Sequence, residues 1–127
     1  MTNNENLVNN ILTKPQTFLN YITGKKPIQE TLLKTFVKHN CDLVKLNTSN
    51  IVNMYGMFRK VISFNQDISQ WDTSKVTNMS LIFSGAKAFN QNISQWDTSK
   101  VVHMDWMFCK AISLKEAHKP TFITKEQ

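Results

Sequence analysis

A chain of 127 residues fits one compact domain, because two independent cores would each sit near the lower limit of self-supporting size. With 41% hydrophobic and 19% charged residues it is too apolar to stay disordered, and with three Gly and three Pro its turns fall largely to Asn, Asp, Ser and Thr. The net charge of +6 is spread along the chain, and Arg59 is the single arginine, which leaves little capacity for the bidentate contacts of nucleic-acid readers.

The N-terminus has no basic n-region and the chain has no apolar run long enough for a signal sequence or a membrane span, so the expectation is a soluble, unexported chain. Residues 1–38 read as a helical N-terminal cap. Apolar helical spacing recurs at Leu7, Val8, Ile11 and Leu12, at Phe18, Leu19 and Ile22, and at Ile28, Leu32, Leu33, Phe36 and Val37. Gly24 suits the end of one helix and Pro27 the first turn of the next.

From residue 39 the chain repeats every 25 residues. Phe64-Asn-Gln-Asp-Ile-Ser-Gln-Trp71-Asp-Thr-Ser-Lys-Val-Thr-Asn-Met79 returns as Phe89-Asn-Gln-Asn-Ile-Ser-Gln-Trp96-Asp-Thr-Ser-Lys-Val-Val-His-Met104. A degenerate first copy aligns Leu46 with Trp71, Met54 with Met79 and Phe58 with Phe83. The units are 39–63, 64–88 and 89–113, followed by a thin C-terminal cap over 114–127 that Pro120 interrupts.

Within a unit, Val76, Met79, Ile82 and Phe83 have the spacing of a two-turn helix, with Asp72-Thr73-Ser74 as its N-terminal cap. Asp67 to Trp71, with a β-branched residue and an aromatic, reads as a brief strand. Strand-plus-helix units of this size must cover one another, so the predicted fold is an α/β repeat, a short leucine-rich-repeat-like solenoid of three units. Equivalent residues then form ladders: Leu46, Trp71 and Trp96; Met54, Met79 and Met104; Phe58, Phe83 and Phe108.

The pattern F-N-Q-[DN]-I-S-Q-W-D-T-S-K-V-x-x-M-x-x-x-F resembles the BspA-like leucine-rich repeat family of bacterial surface proteins, closely over 64–113 and more loosely over 39–63. The resemblance implies an adhesion or protein-binding module on a cell surface, with no catalytic residues to carry over.

The residues offer no competing constellation for catalysis, a cofactor or a metal. Asp72 and Asp97 are equivalent and read as capping groups, and His103 stands where Asn53 and Asn78 do. Cys41 and Cys109 form no C-x-x-C and lie two coils apart, too far for a disulfide, so two free thiols are expected. An enzyme would require His103, Asp105 and Cys109 to share one pocket.

Function is therefore sought where the units differ. Tyr55, Leu81 and Trp106 fall at adjacent variable positions and form a candidate apolar stripe for a protein partner. Arg59, Lys60, Lys87 and Lys110 form a basic edge that suits a polyanion or nucleic acid as the alternative. The thin C-terminal end also makes a homodimer through that end an expectation.

Overall fold

The computed structural model describes residues 14–122, and the apolar spacing at residues 7–12 lies outside them. Helix α1, Pro15–Ile22, opens on proline, which suits a first turn whose amide has no intrahelical acceptor. It stops at Gly24, where φ is +79° and the amide donates to the Tyr21 carbonyl. Helix α2, Glu30–Lys38, buries Leu32, Leu33, Phe36 and Val37 and turns Lys34 and Lys38 outward. Pro27 does not open α2. It precedes the helix and pairs with Asn47 in a parallel bridge.

The strand-plus-helix unit does not form. Among the described residues there are only α1, α2 and a short 3-10 turn at Glu116–His118, with no β-strand and no sheet, so the α/β leucine-rich-repeat-like solenoid reading is overturned. The segment 67–71 is a turn in which Asp67 Oδ1 accepts the Ser69 amide and the Ile68 carbonyl accepts the Trp71 amide. Ile68 and Trp71 are chosen for burial: both lie in the core, and Trp71 Nε1 donates to the Leu43 carbonyl at 2.8 Å.

The expected helix over Val76–Phe83 is a run of tight turns. The carbonyls of Met79, Leu81 and Phe83 accept the amides of Ile82, Ser84 and Ala86, three residues on, and Met54, Gly56 and Phe58 do the same one unit earlier. Two positions per unit have left-handed backbone: Gly56, Leu81 and Trp106 at the eighteenth, and Lys60, Gly85 and Lys110 at the twenty-second, with φ between +55° and +74°. A positive φ at the third residue of a four-residue turn is the type II signature, and it is incompatible with a right-handed helix. Both structures return a side chain to the core every three or four residues, which is why spacing alone suggested a helix.

The remaining amides join the units. Met54, Gly56, Phe58 and Lys60 donate to the carbonyls of Asn78, Ser80, Ile82 and Ser84, and Met79, Leu81, Phe83 and Gly85 donate to those of His103, Asp105, Met107 and Cys109. In a trans peptide the C=O and the following N–H point in opposite directions. Each linked peptide therefore accepts from the preceding unit and donates to the next, and four files of peptides run through the three units with their dipoles aligned.

Side chains follow the same register. Phe58 stacks on Phe83 (5.4 Å, 4°), Phe83 on Phe108 (6.2 Å, 7°), Phe64 on Phe89 (5.5 Å, 7°) and Trp71 on Trp96 (6.5 Å, 2°). Thr48 and Thr73 hydroxyls donate to the Asp72 and Asp97 carbonyls of the following unit, and Thr98 donates to Thr121 in the tail. The tail continues the stacking over the first part of unit three. Leu114 takes the place of Phe89, the Lys115 amide donates to Asn90 Oδ1, and the Ile93 amide donates to the His118 carbonyl. The described tail ends at Phe122, and Val102, Met104 and Trp106 stay exposed.

Candidate interaction surface

The type II turns decide where the variable side chains point. Tyr55, Leu81 and Trp106 lie at turn corners in successive units and line one shallow groove with Ser80, His103 and Asp105. Ser80 Oγ accepts the Asp105 amide, and the Leu81 amide donates to the Asp105 carbonyl, so the floor of this groove is a backbone ladder. Trp106 is 72% exposed and Tyr55 46%, while Leu81 is half-buried between them. The described part of the C-terminal tail, which ends at Phe122, does not cover Trp106.

Arg59, Lys60, Lys87 and Lys110 also come together, lining a second groove with Gly85 and Cys109. Among the described residues no acidic side chain lines this groove. His103 and Asp105 line the first groove and Cys109 the second. Cys41 and Cys109 are both free thiols, and burial raises the Cys41 thiol above its ordinary range. Among the described residues no three His, Cys, Asp or Glu side chains gather as a metal site would require. No helix among them is long and apolar enough to cross a membrane.

Asp72 and Asp97 do not cap helices. Asp72 Oδ1 accepts the Ser74 hydroxyl at 2.6 Å and its amide at 2.9 Å, and Asp97 Oδ1 accepts the Ser99 amide. These are Asx turns, which use the acceptor chemistry of a cap without the helix. The Ser74 hydroxyl and amide hold the Asp72 carboxyl below its ordinary range, and Ser99 does the same for Asp97. His39 is exposed, and His118 Nδ1 lies 2.9 Å from Asn90 Oδ1.

Four candidate residues share a feature that spacing concealed. Leu81 and Trp106 in the first groove, and Lys60 and Lys110 in the second, all have left-handed backbone at positions where another unit carries glycine. Gly56 and Gly85 were the available signal, since superposing the units puts one glycine at each of the two positions that require positive φ.

A family model described as "Mycoplasma protein of unknown function, DUF285" matches residues 28–125. No curated protein and no solved structure matches the chain. The match takes in α2, all three units and the described tail, so the chain belongs to the DUF285 family of Mycoplasma proteins.

Proposed function

We propose that the protein is a non-catalytic protein-interaction module whose contact surface centres on Tyr55, Leu81 and Trp106. The observation that carries this reading is Trp106, a large aromatic that is 72% exposed and held at φ +55°. A left-handed non-glycine residue costs roughly 1–2 kcal/mol, and Gly56 at the equivalent position avoids that cost. Exposed aromatics of this kind anchor protein interfaces. The resemblance to BspA-like surface proteins supports the same class of role, with adhesion to a partner protein at a cell surface as its specific form.

A polyanion is the second reading, favoured by the four cations around Gly85. The two separate in one experiment, capture from native cell extract with wild-type, Tyr55→Ala/Trp106→Ala and Lys60→Glu baits. A protein partner is retained at about 0.5 M salt and lost with the aromatic double variant, whereas a polyanion is released by salt and by Lys60→Glu. If the aromatic variant recovers the same proteins as wild type, the stripe is not the binding face.

A further inference from the structure

The four peptide files end unequally. At the first unit the files end on the carbonyls of Asn53, Tyr55, Met57 and Arg59, and the last three of these residues line a groove with Lys34, Val37 and Lys38 of α2. At the third unit the terminal amides of Met104, Trp106, Phe108 and Lys110 find no acceptor among the described residues. Their counterparts at Met79, Leu81, Phe83 and Gly85 are all paired at 2.8–2.9 Å. Aligned peptide dipoles give this open end a positive potential, as at the N-terminus of a helix. Side chains there are uncovered too: Met104 is 39% exposed where Met54 and Met79 are fully buried.

We infer that this row of amides is a docking edge for an acidic peptide segment of a partner protein, extended along the row with a carboxylate at alternate residues. The chain itself shows which acceptor suits such amides. At the opposite end, where Val52 and Asn53 lack a preceding unit, the Glu30 carboxylate accepts both N–H groups, at 3.0 and 2.8 Å. The outward amides recur every second residue, which matches alternate side chains of an extended segment. The aliphatic stems of the carboxylate side chains would lie against Met104 and Trp106, and Lys110 adds charge of the right sign, against Asp105 as the acidic side chain on the row. A second copy is a poor occupant. Two such edges set donors against donors, and Tyr55, Met57 and Arg59 of the complementary carbonyl row line a groove with α2.

This goes beyond the interaction role proposed above, sharing with it only Trp106, and amide hydrogen exchange on the full chain tests it. The probes are blocked ten-residue peptides of alternating Glu and Leu and of alternating Lys and Leu. In the free protein the amides of Met104, Trp106, Phe108 and Lys110 exchange at least about 100-fold faster than those of Met79, Leu81, Phe83 and Gly85. Saturating Glu/Leu peptide slows the four open amides by at least about tenfold, and the Lys/Leu peptide does not. Trp106→Ala keeps its backbone amide, so it weakens binding yet retains the protection at saturation.

Slow exchange of the four amides in the dilute free chain overturns the inference, because an internal acceptor is then present. So does protection that grows with protein concentration alone, which identifies a second copy, or equal protection by both peptides. If neither peptide slows the four amides while capture from extract still depends on Tyr55 and Trp106, the docking edge falls and the interaction reading stands.

Discussion

The carboxylate of Glu30 does for Val52 and Asn53 what the carbonyl of Thr77 does for Val102 and His103. Glu30 Oε1 accepts the first pair at 3.0 and 2.8 Å, and the Thr77 oxygen accepts the second at 2.9 and 3.2 Å. A side chain at the start of α2 thus replaces the backbone of a unit that does not precede the first. Glu30→Ala is expected to cost about 1 kcal/mol, since the freed amides are near solvent. Exchange at Val52 and Asn53 should accelerate while Val102 and His103 are unchanged. Equal acceleration at both pairs would show that Glu30 supports the fold generally and has no local capping role.

Phe83 sits between Phe58 and Phe108 and is fully buried. Phe83→Ala leaves a void between two neighbours and should cost about 3–5 kcal/mol in urea denaturation. Phe108 ends the ladder, half-buried, with Lys119 Nζ 5.1 Å from its ring centroid. Phe108→Ala should therefore cost clearly less, and a similar cost at both positions would mean that the tail buries Phe108 as deeply as a further unit would.

The left-handed positions make opposite predictions for opposite substitutions. Lys60→Gly and Leu81→Gly should stabilise by up to about 1 kcal/mol, because relief of positive φ outweighs the added freedom of the unfolded chain. Gly56→Ala should destabilise by about 1–2 kcal/mol through φ alone, since the nearest atom to its new Cβ, on Arg59, is 3.8 Å away. Gly24→Ala should cost more, with its Cβ 2.6 Å from the Lys45 carbonyl oxygen. Thermal melts of the four variants decide the matter, and the strain account fails if the glycine and alanine substitutions shift the midpoint in the same direction.

The register of the units was legible because each ladder residue has a large apolar partner 25 residues on, and Phe58, Phe83 and Phe108 stack as that spacing requires. The local conformation was not. Val76, Met79, Ile82 and Phe83 repeat at an interval common to a helix and a chain of type II turns, and only the sign of φ at Leu81 and Gly85 separates the two. Leu81 and Trp106 disguise a position that Gly56 alone reveals. The candidate residues were found because they differ between units, although the reason they project outward is the turn corner and not a helix face. Glu30 and the open amide row were missed, since backbone pairing leaves no mark on side-chain periodicity.

Acid sensitivity follows from the Asx turns. Asp67, Asp72 and Asp97 have carboxyls held below their ordinary range by the hydroxyl and amide of the serine two residues on, and Lys75 lowers Asp72 and Lys100 lowers Asp97 further. A carboxyl with a depressed folded pKa contributes stability that is present above its unfolded pKa and lost as pH falls through the folded value. The loss should thus begin near the ordinary value of 3.8 and continue below it. Replacing all three with Asn keeps an acceptor, as Asn47 and Asn92 show by accepting the amides of Ser49 and Ser94 in the same turn. The triple Asn variant should be less stable than wild type near neutral pH and should approach it as pH falls from about 4 to about 2, because the ionised carboxylates' contribution is present only in wild type and is lost over that range. An unchanged acid limb would place the acid-sensitive groups outside these three turns.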